Sequence, residues 1–324
     1  MPNARVAFIV APTERANFVV SLAPPDLDVT LVDLDLSPTQ QIELCRDADA
    51  IISSYIRVDV LKECPRVKLI QTLSAGFDRL DVGAIGEMGI PIANNGGANS
   101  IAVSEQTIAL MIAVSKKTML HWDMAVRQRR WRGDLGSLPM FEITGKTVGI
   151  VGLGRVGKQV ARRLQGFDTR TIYYDVDTIP RETQSELDAR PVSLEELLRE
   201  SDIVTLHVPL NRQTRAMISH GELEAMKPTA YLINASRGPV VDEKALIHAL
   251  QSGKIAGAGL DVLEQEPPPV DNPLFELDNV VITPHMAAAS HETDLRASAF
   301  AYSNIRRVLA GEPPQSLITL ADYS

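Results

Sequence analysis

KTVGIVGLGRVGKQVARRLQGF, residues 146–167, is the stretch on which the fold turns. Thr147–Val151 is a short β-branched and apolar run that reads as a buried strand. Gly152-x-Gly154-x-x-Gly157 follows at once, and a helical pattern begins inside it. Alone, a G-x-G-x-x-G loop is weak evidence. Here the next strand, TIYYD at 171–175, ends on a carboxylate, Asp175, which is the setting a dinucleotide unit requires. Gly152 permits the tight turn, Gly154 lets the backbone approach a pyrophosphate, and Gly157 lets helix and strand pack closely. The first helical turn, with Arg155 and Val156, offers its N–H groups to the phosphates. Asp175 would accept hydrogen bonds from the adenosine ribose and repel a 2′-phosphate, so the expected cofactor is NAD rather than NADP.

On the C-terminal side the series continues with strands expected at Ile203–His207, Ala230–Asn234, Ala256–Asp261 and Val280–Thr283. With Thr147–Val151 and Thr171–Asp175 these make six, the number of a doubly wound nucleotide-binding domain. Ser193 with Glu196 and Ser219 with Glu222 have capping-box spacing, and Gly253 suits the end of the helix holding Ala245–Leu250. On the N-terminal side, Val6–Val10, Val29–Val32, Ala50–Ile52, Leu69–Leu73 and Ile90–Asn94 form an earlier series of buried strands. A helix apolar almost all round, Asn99 to about Lys117, joins the two series, and another closes the chain from about Ala289 to Leu309.

At 324 residues the chain is long enough for about two domains. Its composition, 45% hydrophobic and 23% charged, is that of an ordered globular protein. A net charge of −9 argues against nucleic acid as a partner. No apolar run approaches the ~20 residues of a membrane span, and no leader pattern opens the chain, so no membrane partner and a cytoplasmic location are expected. Cys45 and Cys64 are isolated and read as reduced structural thiols. The stretch Trp122–Thr144 carries Arg127, Arg129, Arg130, Arg132 and both tryptophans, and reads as a solvated or subunit-contacting arm. The histidines form no ligand set, so no metal is expected.

Three polar residues each follow an expected strand end: Arg237, Glu266 and His285. Open parallel sheets hold ligands at the carboxyl ends of their strands, so these loops should converge on the edge that carries Gly152–Gly157. Arg237 has the planar fork to hold a carboxylate and polarise a neighbouring carbonyl. His285 suits proton donation to a carbonyl oxygen as hydride reaches its carbon, and Glu266 would orient the ring and favour its charged form.

ASRGPVVDEKAL (235–246), GAGLDVLEQEP (257–267) and ITPHMAAAS (282–290), with the glycine loop, resemble the D-isomer-specific 2-hydroxyacid dehydrogenases over nearly the whole chain. The resemblance implies an α/β protein of two domains, a flavodoxin-like substrate domain and a Rossmann doubly wound NAD-binding domain. The boundaries it implies are residues 1–98 with 289–324 for the first and 99–288 for the second. It implies hydride transfer between NAD(H) and a D-2-hydroxy acid/2-oxo acid pair, with Arg237, Glu266 and His285 catalytic. Ser74, Ala75 and Gly76 match the family loop whose amides meet the substrate carboxylate, with Ala75 also near the coenzyme. His207, Val208, Pro209, Ala235, Ser236, Asp261, Met286, Ala287 and Ala288 fall where the family lines the adenine and nicotinamide pockets, Arg237 and His285 bordering the same space. Tyr55, in the loop Ser53–Arg57, is expected to touch the substrate side chain, with Ile56 beside it and Arg57 available to a second anionic group. NNGGANSIAVSEQT (94–107) resembles the family hinge, and the family forms homodimers.

Two other readings use the same scaffold. One is a non-enzymatic NAD-sensing, corepressor-like binding protein, against which the complete Arg–Glu–His set argues. The other is a dehydrogenase of a phosphite-type hydride donor; a formate enzyme is disfavoured because Glu266 stands where such members have Gln.

Overall fold

A computed structural model describes residues 3–132 and 140–319, which fold as α/β. The chain divides into two compact units, Met1–Asn99 with Ala288–Ser324, and Ser100–Ala287.

In the first unit β1 (Ala4–Val10) alternates between two cores. Val6 and Phe8 join one cluster while Ala7 and Ile9 join the other, the period of two of a strand covered on both faces. After it come α1 (Glu14–Ser21), β2 (Leu27–Asp33), α2 (Pro38–Cys45), β3 (Ala50–Ile52), α3 (Val58–Lys62), β4 (Ile70–Gln71), α4 (Val82–Glu87) and β5 (Ile92–Ala93). The strands expected at Leu69–Leu73 and Ile90–Asn94 thus shrink to two residues each. Their flanks instead hold the loops, with Asn95 donating through Nδ2 to Leu73 O and through its N–H to Ser74 O. Cys45 and Cys64 are free and buried, and burial pushes their thiols up to about 12 and about 11.

The second unit opens with α5 (Ser100–Ser115), which packs on the later strands of its sheet through Leu110 and Met111. It ends two residues short of the expected Lys117, which takes a left-handed φ of 51° and breaks the helix. α6 (Thr118–Trp122) and a π-helical turn, Asp123–Arg127, begin the expected arm, of which residues 133–139 lie outside the described residues. There follow β6 (Thr147–Val151), α7 (Arg155–Leu164), β7 (Arg170–Tyr174), α8 (Arg181–Leu187), β8 (Ala189–Pro191), α9 (Leu194–Glu200), β9 (Ile203–Leu206), α10 (His220–Ala225), β10 (Tyr231–Asn234), α11 (Glu243–Gln251), β11 (Gly257–Leu260) and β12 (Val280–Ile282). β8 was not expected, because Ala-Arg-Pro carries no apolar run; it gains its place by pairing with β7 at the sheet edge. The order β12-β11-β10-β9-β6-β7-β8, all parallel, reverses at β6/β9, and there the first loops of both halves meet. Ser193 Oγ accepts the Glu196 N–H at 3.1 Å, Glu222 accepts the Ser219 N–H at 3.0 Å, and Gly253 at φ 68° ends α11.

The chain then returns to the first unit as α12 (His291–Leu309) and β13 (Leu317–Ile318). Tyr302 and Ile305 enter its core, Tyr302 Oη donating to Val19 O at 2.7 Å, and Arg15 grips Asp294 with a forked pair. β13 joins β5 antiparallel, giving the order β13-β5-β4-β3-β1-β2; its five parallel strands run 2-1-3-4-5, the flavodoxin-like order.

Candidate active site

At the switch point Gly152 and Gly157 each have a measurable reason. Gly152 takes φ 92°, and a Cβ there would stand 2.9 Å from the His207 backbone. A Cβ on Gly157 would meet Gly152 O at 2.2 Å, so α7 packs against the loop only with glycine there. Gly154, the N-cap of α7, has open space where a side chain would stand. That opening at the N-terminus of α7, beside the exposed Arg155 and half-buried Val156, is where the pyrophosphate of a dinucleotide would be held. Asp175 Oδ2 accepts the Leu153 N–H at 2.6 Å and Oδ1 the Asp177 N–H at 2.9 Å, which fixes the carboxylate against the loop while each oxygen keeps a further acceptor position. After β9, the His207 Nε2 lies 3.0 Å from Thr205 Oγ1; burial pushes the imidazole down to about 3, so it is neutral beside the loop, followed by Val208 and the exposed Pro209. The residues present therefore suit NAD.

Three further strand ends carry the other polar groups. After β10, Asn234 is 1% exposed and shapes the next turn: its Oδ1 accepts from the N–H and Oγ of Ser236, and its Nδ2 donates to Arg237 O. Ala235 is buried, Arg237 half-buried, and Arg237 Nη1 donates to Ser236 O at 2.8 Å. Gly238 packs so closely on the loop after β11 that a Cβ would lie 1.8 Å from Leu263 O. Leu263 in turn donates its N–H to Glu266 Oε1 at 3.1 Å, so the Arg237 turn and the Glu266 loop are one packed piece.

Glu266 Oε2 lies 2.6 Å from His285 Nδ1, both side chains being partly exposed. The carboxylate accepts, so Nδ1 carries a proton and Nε2 is the nitrogen left to exchange one with a ligand. His285 holds a positive φ of 54°, a conformation that costs a non-glycine residue roughly 1–2 kcal/mol, and its N–H donates to Asp261 O at 2.7 Å. Asp261, 2% exposed, uses its carboxylate on the His285 turn: Thr283 Oγ1 at 2.5 Å, the Met286 N–H at 3.0 Å and the Ala287 N–H at 2.8 Å. The expected partner of Asp261 was the coenzyme carboxamide; of its about four acceptor positions, three are taken by the turn itself. Met286 is exposed and Ala287 buried. Among the described residues no group of three His, Cys, Asp or Glu is arranged to hold a metal ion.

The remaining expected residues, with Ala288, belong to the first unit. Ser74 Oγ donates to Gly76 O at 2.8 Å and lies 3.3 Å from Ser54 Oγ, so the loops after β3 and β4 are joined. Ala75 is exposed and Gly76 half-buried. Tyr55 is exposed and lies under the Arg79 guanidinium, 5.3 Å from the ring centroid. Ile56, expected at a pocket, is instead 4% exposed in the core, because side chains on this turn alternate between inside and out. Arg57, the alternative to an apolar pocket as a partner for a phosphate or second carboxylate, is forked onto Asp59 at 3.0 and 2.7 Å. Sequence reasoning missed Asn234, Gly238 and Thr283; an Asn ending a strand before Ala-Ser-Arg-Gly was the one visible signal.

The family model for the D-isomer specific 2-hydroxyacid dehydrogenase, NAD binding domain, matches residues 108–287. The chain is 42% identical over 283 residues to the glyoxylate reductase of Korarchaeum cryptofilum (strain OPF8), covering 86% of this chain and 84% of that one. Among solved structures it is similar to a glyoxylate reductase from Paecilomyes thermophila, with TM-score 0.83, 30% identity, and coverage of 99% of this chain and 100% of that one. It is also similar to the holo form of Rhodotorula graminis D-mandelate dehydrogenase, with TM-score 0.82, 30% identity and 98% of each chain covered. These likenesses do not favour the NAD-sensing or phosphite readings. The chain therefore belongs to the D-isomer-specific 2-hydroxyacid dehydrogenases, and is an NAD-dependent enzyme that transfers hydride between the coenzyme and a 2-hydroxy acid/2-oxo acid pair.

Proposed function

We propose that this enzyme interconverts small D-2-hydroxy acids and their 2-oxo acids, with Arg237 holding the carboxylate, His285 moving the proton and Glu266 orienting His285. The observation that carries the reading is the 2.6 Å contact between Glu266 Oε2 and His285 Nδ1. NADH, held by Gly152–Gly157 and Asp175, supplies the hydride when bound. Arg237 binds the carboxylate through its fork and draws charge from the adjacent carbonyl. His285, protonated at both nitrogens, gives the Nε2 proton to the carbonyl oxygen, and Glu266 stabilises the imidazolium beforehand. Hydroxy acid oxidation runs the same proton back to neutral His285. The amides of Ser74–Gly76 contribute to carboxylate binding, residues 1–98 with 289–324 serving the substrate and 99–288 the coenzyme.

One feature supports a substrate without a second anionic group: Arg57 is paired with Asp59. The relatives named glyoxylate reductase point the same way. Initial rates with NADH and glyoxylate, hydroxypyruvate, pyruvate, phenylpyruvate and 3-phosphohydroxypyruvate test this. Glyoxylate and hydroxypyruvate should lead, with kcat/KM for the phosphorylated acid lower by ~100-fold, about the 2.7 kcal/mol of an uncompensated anion. A preference for the phosphorylated acid would overturn the substrate class, and inactivity on all five would overturn the reading itself.

The enzyme is further proposed to be a cytoplasmic homodimer. Met119, Trp122, Val126, Trp131 and Met140 are all exposed in the second unit, a concentration of apolar surface suited to a second copy. The buried protonated thiols suit a reducing compartment.

A further inference from the structure

The turn that carries His285 is tied to α5 by a polarised chain of hydrogen bonds. Asp261, as a carboxylate, only accepts, so in its 2.5 Å contact the Thr283 hydroxyl must donate. Thr283 Oγ1 then has only lone pairs for its other neighbour, and it accepts Gln106 Nε2–H at 3.2 Å. The amide orientation of Gln106 follows from this chemistry. Asp261, with its remaining capacity, accepts the Met286 and Ala287 N–H groups, and its own carbonyl accepts the His285 N–H. The same turn holds His285 at φ 54°, a conformation that persists only where its surroundings hold it.

We propose that Gln106 is a positioning residue for His285: by donating to Thr283 it keeps that hydroxyl turned to Asp261, and so holds the turn in which His285 meets Glu266. Gln106 touches neither Glu266 nor His285 in any hydrogen bond; it acts through Thr283 and Asp261. The inference rests on His285 as the proton carrier.

A donor at position 106 should therefore be tolerated and an acceptor should not. Gln106→His keeps a donor and should retain kcat within about twofold for glyoxylate with NADH. Gln106→Leu removes the donor and should lower kcat about threefold. Gln106→Glu presents an acceptor that competes with Asp261 for the Thr283 proton, and should lower kcat about tenfold at pH 8. KM for glyoxylate should stay within about twofold throughout, because the Arg237 turn is not in the chain. Lowering the pH toward 5.5 should restore the Gln106→Glu variant relative to Gln106→Leu, as the introduced carboxyl is protonated and donates. The titratable groups linked to position 106 are Asp261, reached through Thr283, and beyond it the His285–Glu266 pair, to which both variants are equally exposed; on α5, Glu105 is paired with Arg163 of α7. Wild-type rates in all variants, equal and pH-independent losses in Gln106→Leu and Gln106→Glu, or a loss in KM rather than kcat would each overturn the inference. His285→Asn is the control: if it stays active, the role of His285 falls first; if it is inactive while the Gln106 variants match wild type, only the positioning role falls.

Discussion

Arg237, Glu266, His285 and Asp175 owe their expected effects to the atoms that each presents. Arg237→Lys keeps the charge but loses the fork, so kcat/KM for 2-oxo acids should fall by about 100-fold, with near wild-type values refuting the clamp. Glu266→Gln removes the charge beside Nδ1 while keeping the shape, and kcat for reduction should fall by ~10²-fold in steady-state rates. Asp175→Ala should narrow the preference for NADH over NADPH, since the carboxylate that repels a 2′-phosphate is gone; an unchanged ratio of the two kcat/KM values would count against its role. His207 gives a pH effect on stability rather than rate. Its imidazole sits at about 3 when folded and near 6.5 when unfolded, so the unfolded chain binds the extra proton. Stability is therefore full above ~6.5 and declines as pH falls toward the folded value, with a slope of at most ~1.4 kcal/mol per pH unit. Urea midpoints at pH 7.5 and 5 should separate more in the wild type than in His207→Gln.

Elements matter here through how closely their ends approach. The glycine loop works because α7 stands against Gly152 O, where a Cβ on residue 157 would be 2.2 Å away. Gly157→Ala must push helix from strand, and should weaken NADH binding measured by fluorescence titration while lowering stability by about 1–3 kcal/mol. Gly238→Ala forces apart the Arg237 turn and the Leu263–Glu266 loop, so it should cut kcat/KM for glyoxylate in initial-rate measurements. Thr147–Val151 was legible to the residue, and β2, β7, β9 and β12 to within one or two residues at their ends. β8 and β13 were not, because two or three residues without apolar alternation become strands only when a neighbour offers a ladder.

For the whole molecule, the return of α12 to the first unit and the two strand orders decide which loops can meet at each sheet edge. The exposed apolar side chains of the second unit are the surface that the proposed dimer would bury. Replacing Trp131 and Val126 together by Asp should convert it to a monomer in light scattering, while a wild-type monomer would remove that proposal. The sequence by itself determined the α/β class, the coenzyme loop with Asp175, and the identity of the Arg, Glu and His at three strand ends, because periodicity and residue chemistry are local properties. It did not determine that Asp261 gives three acceptor positions to the His285 turn, that Asn234 and Gly238 shape the Arg237 turn, that Ile56 is buried, or that Asp59 pairs with Arg57. Those depended on which backbone groups lie within about 3 Å after folding, and hydrogen bonding at that range is decided by tertiary packing alone.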